Sequence, residues 1–209
     1  SSSSRGSNNS KSDNKGPLSG TQLSKTMTKI LRHQADKYRI PIRSDGYVLV
    51  NDLLNHQLFR GVTMDTIQQV VTTCPKQRFS LVQLPVDTND DAEQKLEWFI
   101  RANQGHSFAV PDLELKSIVD ASEAPVCIHG TYHKSWKLIK ESGLSRMGRE
   151  HIHFAIGVPA DSEVISGMRT SAQVIIHMDV SKMLADGIPL YQSANKVLLS
   201  PGMGDTGAI

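Results

Sequence analysis

KQRFSLVQL (residues 76–84) and LEWFIRA (96–102) decide the architecture of the first half of this chain. Both runs are rich in the branched and aromatic residues that suit a pleated surface, and the polar, acidic DTNDDAEQK separates them. That pattern predicts a β-hairpin. Upstream, Leu23, Met27, Ile30 and Leu31 share one helical face, predicting an amphipathic helix from Ser24 to about Ala35. RSDGYVLV (43–50) predicts a turn at Asp45-Gly46 and a short strand. Asn51 or Asp52 is expected to cap a short helix through Leu54. Thr63 is expected to cap the next, with Met64, Ile67, Val70 and Val71 on its buried face. Helix, short strand, helix, helix, hairpin is the order of a winged helix. That fold often binds nucleic acid but does not by itself establish it.

The second half reads as a compact α+β unit. PVCIHG, HIHFA, QVIIHMDV (173–180) and KVLLSPG predict strands, and HKSWKLIKESG predicts a helix ended by Gly143. The expected division is a disordered tail over 1–20, a winged-helix lobe over 21–108, a linker over 109–124 and a second lobe over 125–209. The tail, SSSSRGSNNSKSDNKG, holds no apolar residue. Because the chain does not begin with Met, a processed, truncated or engineered form is expected.

Composition narrows the possibilities. With 23 basic and 21 acidic residues the net charge is +2, so nucleic-acid contact requires a local cluster of cations. The two cysteines, Cys74 and Cys127, have no metal-ligand spacing and suggest a reducing, intracellular setting. No apolar run reaches membrane-spanning length. There is neither a GxGxxG after a strand nor a P-loop.

RMGREHIHFA (146–155) is the most ambiguous stretch. His151 and His153 alternate on a strand and could face one ion, but no third ligand has sensible spacing. They can equally be a buried and a surface histidine. Arg146 and Arg149, beside Gly148, can instead grip an anion. Further basic groups sit at element ends: Arg32-His33, Lys76 and Arg78, and Arg101, which leads into NQGHS. HGTY (129–132) reads either as ligand-facing donors or as a strand-to-helix turn capped by Thr131.

Taken together, LSKTMTKILRH (23–33), SDGYVLVNDLL (44–54), KQRF (76–79), IRANQGHS (100–107), HGTY (129–132), Arg149-Glu-His-Ile-His153, SGMR (166–169), ADGIPLYQSAN (185–195) and VLLSPG (197–202) resemble the RNA 2′-phosphotransferase family. The resemblance covers almost all of the chain from Leu23. It implies a winged-helix lobe and a C-terminal lobe with the ADP-ribosyltransferase fold. The implied activity is removal of the splice-junction 2′-phosphate from tRNA with NAD⁺ as co-substrate. The 2′-phosphate attacks C1″ and expels nicotinamide. The ribose O2″ then attacks phosphorus, leaving 2′-OH RNA and ADP-ribose 1″,2″-cyclic phosphate.

By motif, the resemblance carries the catalytic set onto Arg32, His33, Arg78 and Arg149. NAD contacts fall on His129, Gly130, Thr131, His151, His153, Gly167, Arg169, Ser193 and Asn195. Substrate contacts fall on Lys76, Arg101, Gln104, His106 and Ser107. It implies no metal, and a monomer located in the cytoplasm or nucleus is expected. Arg146 is read as a bystander or an RNA contact. The family usually has Gly after the Asn of SAN, where this chain has Lys196. An ADP-ribosyltransferase that caps phosphorylated RNA or DNA ends, or a non-catalytic binding module, are the competing functions.

Overall fold

The computed structural model describes residues 18–86, 95–157 and 168–209. The expected tail (apart from residues 18–20), most of the hairpin loop, and Gly167 lie outside the described residues.

The first helix, α1 (Gly20–Lys29), starts four residues earlier than its periodicity predicts. The cause is a capping box: the Ser19 hydroxyl accepts from the Gln22 N–H, and the Gln22 side chain accepts from the Ser19 N–H. Leu23, Met27, Ile30 and Leu31 are fully buried, as their spacing requires. From Ile30 to Gln34 the chain widens into a π-helical turn, which carries Arg32 and His33.

A turn with Gly46 at φ 83° leads to β1 (Val48–Leu49). The next helix, α2 (Val50–Leu54), has Leu49 at its cap position without a side-chain bond. Asn51 and Asp52 therefore lie inside the helix and not at its cap. Thr63 does cap α3 (Met64–Thr73), accepting from the Thr66 N–H. The hairpin of β2 (Phe79–Val86) and β3 (Lys95–Ala102) pairs from Phe79 opposite Ala102 to Val86 opposite Lys95. With β1 on its far side, β3 becomes the centre of a three-stranded sheet. One apolar core, including Leu23, Met27, Phe59, Ile67 and Ile100, joins these elements.

The second half has its own core around Ile118, Cys127, Phe154, Leu190 and Leu198. Its strands are β4 (Lys116–Ser117), β5 (Ile128–Thr131), β6 (Ile152–Phe154), β7 (Val174–His177), β8 (Tyr191–Gln192) and β9 (Leu198–Ser200). They form a sheet ordered β4-β8-β9-β6 and a separate β5-β7 pair. The helices are α4 (His133–Ser142) and α5 (Val180–Ala185). Sheets and helices together make an α+β protein.

Three expectations change here. The segment 109–124 contributes β4, and buries Ile118 and Ala124 in the second core, instead of serving as a free linker. Thr131 ends β5 and caps nothing; Tyr132 precedes α4 without a side-chain cap. The strand expected over 173–180 stops at His177, because the Asp179 carboxylate accepts from the Lys182 N–H and opens α5.

Candidate active site

Both halves contribute to one cleft of about 530 Å³. Arg32, Lys76, Arg78 and Gln104 come from the first half. His129, Gly130, Thr131, Tyr132, Arg149, His153, Arg169 and Asn195 come from the second. No Asp or Glu is among the described residues that line it. A second hollow of about 700 Å³, lined by Leu138, Ile139, Met147 and His151, shares His129, Thr131, Arg149 and His153 with the cleft.

The 103–107 loop accounts for the placement of Arg32 and His33. Gly105 has φ 88°, and a Cβ there would come within 3.3 Å of the Arg32 guanidinium. Glycine thus provides both the turn and the room for the side chain. The Ser107 N–H donates to the Arg32 carbonyl at 2.9 Å, supplying a partner in the π-helical turn. The Ser107 hydroxyl lies 3.1 Å from His33 Nδ1. Arg149 sits on a turn whose geometry depends on Arg146. Arg146 donates from its guanidinium to the Arg149 carbonyl at 3.2 Å and packs over Gly207. Arg146 is therefore a brace for this turn, which corrects its reading as a bystander.

Charge is the dominant feature of the cleft. Burial and the neighbouring guanidiniums of Arg78 and Arg149 push Arg32 down to about 10. Its Nε is buried without a hydrogen-bond partner among the described residues, and so is Gln104 Oε1. Burial, Arg78 and Arg169 lower Lys76. Burial, Arg149 and Arg32 lower His33, favouring the neutral imidazole. Burial, with Arg149 and Arg32 behind it, takes His153 down to about 3. Like charges gathered without carboxylates are costly unless an anion occupies the space between them.

Residues 19–202 match the family described as RNA 2′-phosphotransferase, Tpt1 / KptA family. The chain belongs to the RNA 2′-phosphotransferase family. It is 46% identical over 183 residues to tRNA 2′-phosphotransferase 1 of Danio rerio, spanning 87% of this chain and 78% of that protein. To tRNA 2′-phosphotransferase 1 of Homo sapiens it is 44% identical over 185 residues, 88% of this chain and 70% of that one. To tRNA 2′-phosphotransferase of Saccharomyces cerevisiae it is 37% identical over 187 residues, 86% and 77% respectively.

The residues that the family resemblance singles out do not all reach the cleft. Arg32, Arg78, Arg149, Lys76, Gln104, His129, Gly130, Thr131, His153, Arg169 and Asn195 line it. His33 is not in its lining; it faces the second hollow with Ser107 and a groove beside α1 with Arg78. His151 lines only the second hollow, edge-on to the Tyr191 ring. His151 and His153 are no metal pair in this arrangement: among the described residues no group of three His, Cys, Asp or Glu side chains could hold an ion.

Arg101 departs from expectation. It is 3% exposed, stacks on Tyr47 at 4.7 Å and pairs with Glu114 at 3.2 Å. It lines neither hollow, so its role is in packing. His106 is 2% exposed and likewise absent from the lining. Ser193 is buried behind the cleft wall, where its hydroxyl donates to Asn195 Oδ1 at 2.7 Å. The close approach at Gly130 is to protein: a Cβ there would collide with Met168 at 2.3 Å.

Six described lining residues lay outside the sequence-based set: Thr28, Ile128, Tyr132, Ala155, Met168 and Val197. Thr28 precedes Arg32 by four positions, a spacing that could have flagged it. Tyr132 was within the HGTY motif, and its hydroxyl lies 2.9 Å from Ser171 Oγ.

Among the described residues no helix is long and apolar enough to cross a membrane.

Proposed function

We propose that this protein is an NAD-dependent tRNA 2′-phosphotransferase, with a winged-helix lobe facing RNA and an ADP-ribosyltransferase-like lobe facing NAD⁺. The observation that carries the reading is the meeting of Arg32, Arg78 and Arg149, with Lys76 and Arg169 nearby, in a cleft whose described lining contains no carboxylate. A phosphodianion beside a pyrophosphate is a ligand pair that such a site suits.

The residues fit NAD⁺. The cleft and the adjoining hollow each fall within the size range of ligand pockets, and they share His129, Thr131, Arg149 and His153 in their walls. The His153 carbonyl accepts from His129 Nδ1 at 2.8 Å, which places the proton on that nitrogen. In the neutral ring His129 Nε2 is then an acceptor, suited to a ribose hydroxyl. Bound there, NAD⁺ supplies an electrophilic C1″ with nicotinamide as leaving group.

The protein's part is to position charge. Arg32, Arg78 and Arg149 orient the RNA 2′-phosphate toward C1″ and stabilise the crowded phosphoryl transition state that follows. Fixing two reactants in one cleft removes about 7–11 kcal/mol of barrier in favourable cases. His33, favoured as the neutral imidazole in the free protein, accepts the proton of ribose O2″ as that oxygen attacks phosphorus and passes it to the departing 2′-oxygen.

Incubation with NAD⁺ and an oligonucleotide bearing one internal 2′-phosphate tests this. The expected products are 2′-OH RNA, nicotinamide and ADP-ribose 1″,2″-cyclic phosphate, unaffected by EDTA. A stable ADP-ribosyl-phosphate end would make the protein a capping transferase. RNA binding without nicotinamide release would make it a binding module.

A further inference from the structure

The segment Lys76–Arg78 faces a physical difficulty. It brings two cations against Arg32 and Arg169 with no carboxylate in the described lining to hold them there. Its middle residue, Gln77, has φ 41°, in the left-handed region that side chains other than glycine disfavour. Repulsion and backbone strain both work to release this turn, so something must hold it.

Two buried asparagines do so from opposite sides. Asn103, 4% exposed at the end of β3, donates from Nδ2 to the Gln77 carbonyl at 2.7 Å. Its own N–H donates to the Arg78 carbonyl at 2.9 Å, and the Ser80 hydroxyl donates to its Oδ1. Asn195, 2% exposed, belongs to the other half of the chain, and its Nδ2 donates to the Lys76 carbonyl at 3.0 Å. The Ser193 hydroxyl fixes its Oδ1, so the amide is oriented before it meets the turn. Asn195 lines the cleft, yet its carbonyl and one of its N–H groups are already committed within the protein.

We propose that Asn195 is a positioning residue rather than an NAD contact: with Asn103 it clamps the Lys76–Arg78 turn, so Arg78 is aimed into the cleft only when the two halves are docked. The clamp makes the phosphate-binding geometry a property of both halves. The NAD-facing half thereby controls the RNA-facing arginine without touching RNA. The binding part of this inference rests on the cleft being a 2′-phosphate site; the conformational part does not.

Asn195→Ala and Asn103→Ala test it, because each removes the N–H donor to the turn without placing a new charge beside Lys76 and Arg78. Hydrogen exchange over residues 76–78, affinity for a 2′-phosphorylated oligonucleotide and affinity for NAD⁺ are measured in the full chain. Each substitution is expected to speed exchange at 76–78. Each should weaken RNA affinity by about tenfold, the order expected when a buried acceptor loses its donor. NAD⁺ affinity should be unchanged in both.

Lower NAD⁺ affinity with unchanged RNA affinity in Asn195→Ala would overturn the proposal, as would a uniform rise in exchange across the whole chain, or no change at all. If the wild-type protein does not discriminate the 2′-phosphate, the functional reading fails, and exchange at 76–78 still decides whether the clamp exists. Should both variants fail to fold, the wild type decides: slow exchange at 76–78, matching β2, supports the clamp and fast exchange refutes it.

Discussion

Two groups of arginine lie close together in this molecule and are treated in opposite ways. Arg101 is buried beneath Tyr47, with its guanidinium turned to Glu114 and the Asp45 carbonyl. Arg32, Arg78 and Arg149 face one another across a cleft, and burial together with the other two arginines lowers the pKa of Arg32. A paired cation contributes to the fold. A set with no ion-pair partner among the described residues, held together against its own repulsion, is preorganised for an anion. The sequence lists both kinds alike, at the ends of strands and helices, and only the partners separate them.

Substitution should expose that difference most strongly. Arg149→Ala is expected to lower 2′-phosphate removal by at least about a hundredfold with little change in melting temperature. Arg101→Ala should do the reverse, costing about 1–3 kcal/mol of stability while each folded molecule keeps near-normal turnover. Thermal melts and initial rates on the same samples check both, and the opposite ranking would mean the two groups had been assigned the wrong roles.

Acid stability is the next test. His106 and His153 are held neutral, at about 4 and about 3, chiefly by burial and then by nearby arginines. Below pH about 6.5 the unfolded chain binds protons that the folded one does not. Stability is therefore complete above that pH and falls as pH drops toward 4, by up to about 3 kcal/mol per pH unit when both rings titrate only on unfolding. Urea melts between pH 7 and 4.5 should show this slope, and His106→Gln should flatten it. Unchanged slopes would place the acid lability elsewhere.

A smaller effect concerns Lys196. Its φ of 62° puts it in the left-handed region, which accounts for the glycine usual in the family. Its side chain is exposed, so the cost is one of backbone. Lys196→Gly should raise the melting temperature by about 2–4 °C without altering activity.

Much of the first half was legible because its periodic elements are long. The Leu23–Leu31 stripe and the β2–β3 hairpin appear where their patterns place them. The capping box at Ser19 extended α1 beyond its apolar pattern, and the π-helical turn at Arg32 left no trace in residue spacing. In the second half the strands are two to four residues long, too short for alternation to speak. There β4 was read as linker, and the strand read over 173–180 ran three residues too far, onto the first residue of α5.

Within the site, arginine-bearing motifs pointed to the lining residues. Nothing local distinguished Arg101 from Arg32, since Glu114 and Tyr47 are distant in sequence. The same holds for Asn195, whose partner Lys76 lies 119 residues away.

We propose that Arg32, Arg78 and Arg149 form the site for the RNA 2′-phosphate. It is tested most directly by the affinities of two oligonucleotides identical except for one internal 2′-phosphate, measured with wild type and with Arg78→Ala. The account predicts that the phosphorylated strand binds wild type at least about tenfold more tightly and that this preference collapses in the variant. Equal binding of the two strands by wild type, or a preference that survives loss of Arg78, would contradict it.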